Sequence, residues 1–245
     1  MTVCNLAGIT VAFEHRYPYF ERLMREYRTD SRPTVSVSVS EEEIEREIAE
    51  ARALSPHLSH EAKRAVCESS ALYWKFAEAL PFFDGFFLHA ALFAVGGEGI
   101  AIIAPAGTGK STHLSLWRQL LGDGVTVVNG DKPLLRRAPT GEGFLGYGTP
   151  FCGKEGWQTN TAVPVRHLLL LERAEHDRFT PLAPEEAFPA LFTATLPPED
   201  EDSLALVLPL LHDFLISVKP LRAEVTMDLT AAELAYRAVF GKEPS

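Results

Sequence analysis

The alternation of apolar and polar positions over residues 1–85 predicts a small N-terminal α+β lobe. From Thr34 to Val39 the sequence alternates strictly, which predicts a half-buried strand. Ser40 then precedes three glutamates, as expected for an N-cap and the first turn of a helix. We predict one helix from Glu41 to about Leu54 and a second from Glu61 to Leu80.

From Phe86 to Leu171 the pattern is mostly that of strands. Two apolar runs, Phe86–Val95 and Gly99–Ile103, flank Gly96-Gly97-Glu98 and predict a β-hairpin. The elements predicted next are a helix from Ser111 to Leu121, a strand from Val125 to Val128, a hairpin of Pro133–Ala138 with Phe144–Tyr147, and a strand from Val165 to Glu172. The last strand contains four consecutive leucines, as expected when both faces of a sheet are buried.

The tail from Pro184 alternates between helical and extended patterns. The predicted elements are a helix, an acidic loop from Glu199 to Asp202, a second helix, a strand from Arg222 to Met227, and a last helix from Thr230 to Phe240. We expect the acidic loop to be a solvated connection, because blocks of like charge usually face water.

Composition and charge narrow the range of partners. The chain of 245 residues has a formal net charge of −10, whereas non-specific binding to nucleic acid depends on Lys and Arg that neutralise phosphates. We therefore expect no nucleic-acid partner. We also expect no membrane span, because no apolar run approaches the roughly 20 residues that cross a bilayer. The three cysteines are far apart and form no CxxC pair, which favours a reducing cytoplasm.

A glycine-rich turn between a predicted strand and a predicted helix has the clearest chemistry. The turn is Ala104-Pro105-Ala106-Gly107-Thr108-Gly109-Lys110-Ser111, with alanine at the usual first glycine of a P-loop. Glycines let main-chain N–H groups point at phosphate oxygens, and the N-terminus of the next helix adds a positive dipole. We predict that the phosphates of ATP bind to Ala106, Gly107, Thr108, Gly109, Lys110, Ser111 and Thr112.

Two side chains outside the turn are further candidates for catalysis. Phosphoryl transfer needs a carboxylate that holds Mg²⁺ or the acceptor, and Asp131 follows the strand that comes after the predicted P-loop helix. We predict that Asp131 and the Ser111 hydroxyl hold the metal, although an aspartate next to glycine is also common in turns. His89 lies on the strand before the loop strand and is either catalytic or structural. The polar, glycine-rich segment 148–157 is either a substrate-binding loop or a plain Ω-loop.

The residues from Leu88-His89-Ala90 through this turn to Val128-Asn129-Gly130-Asp131 resemble the catalytic domain of HPr kinase/phosphorylase. The nucleotide-binding part of phosphoenolpyruvate carboxykinase shares that fold. The resemblance covers roughly residues 86–175 and, more loosely, the tail. It implies an α/β domain over 86–245, with a mixed, largely antiparallel sheet around a P-loop strand–helix unit. It also implies a kinase that uses ATP and Mg²⁺, with Lys110, Asp131 and His89 as catalytic residues.

The chain departs from the family at one position of the aspartate pair. The family usually has two adjacent aspartates here, one linked to Mg²⁺ and one to activation of an acceptor serine, whereas this chain has Gly130-Asp131. Either Asp131 or His89 then handles the proton, or the protein binds ATP and transfers slowly or not at all. We therefore expect an ATP- and Mg²⁺-dependent phosphotransferase, with a pseudokinase or ATP-binding regulatory protein as the alternative.

The acceptor and the assembly state stay open in the sequence. Relatives of this type phosphorylate a serine in a carrier protein, a modified peptide or free serine, so the expected acceptor is a hydroxyl of a protein, peptide or small molecule. A carboxykinase is disfavoured, because the chain is short and such chemistry needs further basic residues and a second metal site. The sequence leaves open a homo-oligomer and a role for the 1–85 lobe in presenting the acceptor.

Overall fold

The structure is a computed structural model that describes residues 1–51, 57–195, 197 and 201–244. The chain divides into two compact units, Met1–Leu80 and Pro81–Ser245. The domain boundary that we place near residue 85 stays a prediction. Within the described residues, no helix combines the length and apolar character that a membrane crossing requires.

In the residues that the structure describes, the first unit contains a three-stranded sheet and the α-helices α1, α2 and α3. Strands β1 and β2 form an antiparallel hairpin, and β3 pairs with β2 in parallel. Ser40 caps α2 as predicted: its hydroxyl accepts from Glu43 N (3.2 Å) while the Glu43 carboxylate accepts from Ser40 N (2.6 Å). The predicted end of this helix near Leu54 lies outside the described residues. The bounds are β1 Thr2–Leu6, β2 Ile9–Phe13, α1 Pro18–Leu23, β3 Val35–Val37, α2 Glu41–Glu50 and α3 His60–Ala79.

The second unit contains the predicted strand–turn–helix segment within a larger mixed sheet. Its strands are β4 Gly85–Phe87, β5 Ala90–Val95, β6 Glu98–Ile103, β7 Val125–Asn129, β8 Leu134–Arg137, β9 Phe144–Tyr147, β10 Ala162–Arg173, β11 Arg178–Pro181 and β12 Lys219–Val225. Its helices are α4 Lys110–Leu121, α5 Pro184–Ala194, α6 Glu201–Ser217 and α7 Leu229–Phe240.

The nine strands of this sheet pair in the order β4-β8-β9-β10-β6-β5-β7, with β12 beside β10 and β11 beside β12. Strands β6 and β12 run parallel to β10, and the other pairs are antiparallel. The prediction of a mixed α/β unit is therefore confirmed. Both predicted hairpins, β5 with β6 and β8 with β9, are present.

The sheet is covered by helices on both faces. Leu168 and Leu170 of β10 belong to a core that includes residues of α5 and α6, whereas Leu169 and Leu171 belong to a core that includes residues of α4 and α7. Successive side chains of a strand point to opposite faces. The run of four leucines therefore fills two cores, which confirms the prediction of a strand buried on both sides.

Three details of the sequence-based assignment are wrong. The apolar run Phe86–Val95 is not one strand, because it breaks at 88–89 into β4, which pairs with β8, and β5, which pairs with β6. Glu201 and Asp202 form the start of α6 and not the end of an acidic loop. Carboxylates in the first turn of a helix interact favourably with the helix dipole. Residues 199 and 200 of that predicted loop lie outside the described residues. Strand β11 was not predicted, and it forms through antiparallel pairing with β12.

The pairing directions bring several chain segments to one edge of the sheet. Because β6, β10 and β12 are parallel, and β7 is antiparallel to the neighbour of β6, their carboxyl ends all lie at this edge. The amino end of the intervening β5 lies there too, since Ala90 pairs with Ile103. Ligands of open α/β sheets bind beyond the carboxyl ends of strands. This edge is therefore where a functional site is expected.

Candidate functional site

The glycine-rich turn has the backbone conformation of an anion-binding loop. It follows β6, and α4 begins directly after it at Lys110. Gly107 and Gly109 have φ of 79° and 121°, conformations that side chains with a Cβ rarely adopt. A Cβ at Gly109 would also lie 2.6 Å from Cε of Met227. The positive φ at both positions therefore favours glycine, and the N-terminus of a 12-residue helix faces the turn.

Lys110 is held in the turn by burial and by one hydrogen bond. Its residue is 8% exposed, and Nζ donates to the main-chain carbonyl oxygen of Ala104 at 3.0 Å. Burial lowers the pKa of the ammonium group, while the charge of Asp131 opposes that change. Ser111 is half-buried, whereas Ala106, Gly107 and Thr112 are exposed. The face that a polyphosphate would approach is therefore open while the lysine stem is packed.

Asn129 sets the position of Asp131. Its buried side-chain Oδ1 accepts hydrogen bonds from the main-chain N–H groups of Asp131 (2.8 Å) and Lys132 (2.6 Å). Its Nδ2 donates to the carbonyl oxygen and the hydroxyl of Thr149, at 2.9 and 3.0 Å. An asparagine that bonds its own backbone two residues ahead forms an Asx-turn. This turn fixes the start of the segment after β7 and directs Asp131 toward the site.

Asp131 lies among three basic groups. Its Oδ1 is 3.3 Å from Nε2 of His89, and its Oδ2 is 3.8 Å from Nζ of Lys132. Burial alone raises the pKa of this carboxyl group, but the His89 hydrogen bond and the charges of Lys132, His89 and Lys110 outweigh it. The pKa of Asp131 is therefore lowered overall. An ionised carboxylate within electrostatic range of the P-loop lysine suits metal binding.

His89 is not on a strand, contrary to the prediction. It lies in the gap between β4 and β5, where its main-chain N–H donates to the carbonyl oxygen of Ala194 at 2.7 Å. The flanking Ala90 N–H donates to the carbonyl oxygen of Asp131 at 3.1 Å. These bonds interrupt the strand pairing between β4 and β5, and they place the imidazole next to the Asp131 carboxylate. The role of His89 in catalysis stays a prediction.

Gly130 lies where a side chain would meet main-chain oxygens. A Cβ there would be 3.2 Å from the carbonyl oxygen of Cys152 and 3.4 Å from that of Trp157. The Gly130 N–H also donates to the Trp157 carbonyl oxygen at 2.9 Å. The segment 148–157 thus closes over position 130.

The segment 148–157 packs against Asp131 as well. Gly153 has φ of 78°, and a Cβ on it would lie 3.1 Å from Cβ of Asp131. At the other end of the segment, the Thr149 hydroxyl donates to the carbonyl oxygen of Lys132 at 2.9 Å. The segment therefore lines the site beside the proposed metal ligand. Whether it grips a substrate stays a prediction.

The structure brings the three predicted catalytic side chains to one edge of the sheet. His89 and Asp131 are in contact, and Lys110 is close enough to influence the pKa of Asp131 electrostatically. Sequence reasoning missed two residues that shape the site: Asn129, and Arg173 at the end of β10, which binds carbonyl oxygens of the turn. The Asn-Gly-Asp sequence is an Asx-turn signal that could have indicated Asn129. Arg173 has no such local signal.

The donor set fits Mg²⁺ that arrives with a nucleotide. Among the described residues, no group of three or more His, Cys, Asp or Glu side chains could hold a metal ion. Mg²⁺ commonly binds one or two protein oxygens and completes its shell with phosphate oxygens and water. The Ser111 hydroxyl and the Asp131 carboxylate are the two protein oxygens that such an ion would use. Their predicted roles as ligands stay predictions.

Similarity to known proteins is found among solved structures. No protein-family model and no curated protein sequence matches the chain. Among solved structures, the chain is similar to the HPr(Ser) kinase/phosphatase from Coxiella burnetii, with a TM-score of 0.40 and 13% sequence identity. The match covers 63% of this chain and 88% of that chain.

Proposed function

We propose that this protein is an ATP- and Mg²⁺-dependent phosphotransferase of the HPr kinase type. The expected acceptor is a hydroxyl group, with serine as the first candidate, in a peptide, a protein or a small metabolite. The observation that supports this most is the position of Asp131, which contacts His89 and is close enough to Lys110 for the two charges to influence each other. A phosphate-binding turn alone would suit any nucleotide-binding protein.

Each part of the site has a role in the proposed reaction. The amides of residues 106–111 and the Lys110 ammonium bind the phosphates and stabilise the charge that develops on transfer. Ser111 and Asp131 would hold Mg²⁺, which would neutralise negative charge on the phosphates during transfer. Catalysis is then mainly a matter of positioning and electrostatics, which the fixed turn and the Asx-turn at Asn129 provide.

His89 is the proposed general base. When its Nε2–H faces the Asp131 carboxylate, Nδ1 is the ring atom that accepts a proton. The acceptor oxygen bonds to the γ-phosphorus as the bond from that phosphorus to the β–γ bridging oxygen breaks. ADP leaves, and the hydroxyl proton moves to Nδ1. The imidazole thus takes the role of the general base that an aspartate at position 130 would have. The carboxylate of Asp131 stabilises the imidazolium.

Transfer of label from ATP tests this function. The purified protein is incubated with γ-phosphoryl-labelled ATP, Mg²⁺ and cell extract, in parallel with Lys110→Ala and with Lys219→Ala. Lys219 is an exposed lysine at the start of β12, away from the edge that holds the turn. We expect a labelled product with wild type and Lys219→Ala and none with Lys110→Ala. Equal labelling by wild type and Lys110→Ala would overturn the proposal.

Gly130 favours a second candidate, an ATP-binding regulatory protein with little transfer activity. The general-base position of the family has no side chain here, and main-chain oxygens of Cys152 and Trp157 close the space around it. This candidate shares the nucleotide site but lacks a fast chemical step. Binding of Mg-ATP by the wild type, together with no labelled product and no hydrolysis, would favour it over the phosphotransferase.

A further inference from the structure

Arg173 is an exposed side chain that binds the phosphate-binding turn from a neighbouring strand. Its Nε donates to the carbonyl oxygen of Thr108 at 2.8 Å, and its Nη2 donates to that of Gly107 at 2.9 Å. We propose that Arg173 is a positioning residue that holds this part of the turn, and above all the Thr108–Gly109 peptide, in the orientation a polyphosphate needs. This inference rests on the proposed function, since it concerns how the same site is prepared for its nucleotide.

The direction of the peptide groups explains how such a residue acts. In a trans peptide, the C=O and the following N–H point in opposite directions. With the Thr108 carbonyl oxygen turned toward Arg173, the N–H of Gly109 is turned to the other side of the turn. A P-loop binds phosphate through N–H groups that point inward. The guanidinium therefore binds the carbonyl oxygen of a peptide whose N–H, on the opposite side, can donate a hydrogen bond to a phosphate oxygen.

Other carbonyl oxygens of the turn are held by the turn and the helix themselves. Lys110 Nζ donates to Ala104 O, Thr108 N to Pro105 O, and His113 N to Gly109 O. The peptides that Arg173 binds lie between these anchors and are flanked by Gly107 and Gly109, whose backbones rotate easily. The Gly107–Thr108 peptide is also held by its own N–H, which donates to Pro105 O, so the Thr108–Gly109 peptide depends most on Arg173. We refer to the two hydrogen bonds from Arg173 as the clamp, and at this point they have the largest effect on the conformation of the loop.

The fold places Arg173 where it can reach the turn. Strand β10 is the parallel neighbour of β6, with Leu170 in register with Ile103. Arg173 ends β10 just as the turn begins after β6. A planar guanidinium can donate two hydrogen bonds in a fixed fork, whereas a lysine carries the same charge on a single nitrogen. Fork geometry and charge can therefore be separated by substitution.

Calorimetry with Mg-ATP on full-length variants tests the clamp. We expect Arg173→Ala to bind about 10-fold more weakly than wild type, the loss expected for hydrogen bonds from a charged donor. We expect Arg173→Lys to stay weak, and methylguanidinium chloride, but not methylammonium chloride, to restore binding to Arg173→Ala. The matched control is Arg178→Ala, which removes an exposed arginine that pairs with Glu224 instead of the turn.

Hydrogen–deuterium exchange without nucleotide gives a second reading that does not depend on the function. We expect faster exchange over residues 104–112 in Arg173→Ala than in wild type and Arg178→Ala, with unchanged urea-unfolding midpoints. Wild-type affinity in Arg173→Ala or in Arg173→Lys would overturn the proposal. If the wild type binds no Mg-ATP, the proposed function fails. Unchanged exchange over 104–112 in Arg173→Ala would then show that Arg173 does not hold the turn either. Faster exchange in this variant would show that Arg173 still determines the conformation of the loop.

Discussion

Nε2 of His89 lies 3.3 Å from Oδ1 of Asp131, although the two residues come from different segments of the sheet. Asp131 follows β7, and His89 precedes β5, which pairs with β7 in antiparallel fashion. A carboxylate that binds an imidazole fixes its tautomer and stabilises its protonated form. In the proposed reaction, this pair provides the base function in a chain that has glycine at position 130.

Replacement of His89 by glutamine tests this role. Because a positioned base typically contributes about 10²- to 10⁴-fold to a rate, we expect His89→Gln to lower the transfer rate by that amount and to leave Mg-ATP affinity nearly unchanged. His212→Gln is the matched control, since His212 also lies beside a carboxylate, Asp213, but on α6. Comparable rates for His89→Gln and wild type would assign the proton to another group.

Replacement of Asp131 by asparagine tests the metal site. Asparagine keeps the size of the side chain but removes the charge that the lowered pKa of Asp131 maintains. We expect transfer to fall by at least about 10²-fold, because charge at the transferring phosphate is less well neutralised. The Mg²⁺ concentration that gives half-maximal activity should rise. A rate loss that is independent of Mg²⁺ would argue against Asp131 as a metal ligand.

Restoration of the family's aspartate pair is expected to fail. The Cβ of an aspartate at Gly130 would lie 3.2 Å from the carbonyl oxygen of Cys152, which is tighter than ordinary van der Waals contact, and 3.4 Å from that of Trp157. Crowding of this kind typically costs about 1 to 3 kcal/mol of unfolding free energy. We expect that loss for Gly130→Asp in urea denaturation, with no gain in transfer.

Gly124→Asp is the control for this substitution. A Cβ at Gly124 has only an ordinary contact, 3.6 Å from Cβ of Leu121, and the residue is exposed. Its stability should stay within about 0.5 kcal/mol of wild type. A stable Gly130→Asp protein with faster transfer would show that the 148–157 segment adapts and that the missing carboxylate limits the enzyme.

His113 makes the stability of the fold depend on pH. It lies in α4, is 1% exposed, and has no hydrogen-bond partner for either ring nitrogen in the part of the chain that the structure describes. Burial lowers its pKa from 6.5 to about 4, and the charge of Asp177 opposes this only in part. Between these values the unfolded chain binds the proton and the folded chain does not, so stability falls as pH falls.

A leucine at position 113 should remove this dependence. The contribution of neutral His113 to the free energy of unfolding is complete above about pH 6.5 and is lost progressively down to about pH 4. It amounts to up to about 3 kcal/mol. Urea denaturation of wild type and His113→Leu from pH 4 to pH 8 should give curves that diverge below pH 6.5. Parallel curves would show that His113 is hydrated or paired in solution.

Local sequence signals predicted much of the second unit. The Gly96-Gly97-Glu98 turn, the Gly107 and Gly109 conformations and the run of leucines in β10 each depend on short-range geometry, and the structure has each as predicted. The nearness of Asp131 to the P-loop followed from one helix and one short strand between them.

Features that depend on distant partners were not predictable. The break at His89 arises from bonds to Ala194 and Asp131, and the Arg173 clamp requires knowledge that β10 lies next to β6. Neither partner is near in sequence. The apolar run 86–95 satisfies a continuous strand pattern equally well, so periodicity alone could not locate the break.

Calorimetric titration with Mg-ATP tests the central claim most directly. The claim is that main-chain amides at residues 107–111 and the Lys110 ammonium bind the phosphates of ATP. Titrations of wild type, Lys110→Ala and Lys219→Ala should show binding that is unchanged in Lys219→Ala and at least about 10-fold weaker in Lys110→Ala. No heat with the wild type, or equal affinity in wild type and Lys110→Ala, would contradict it.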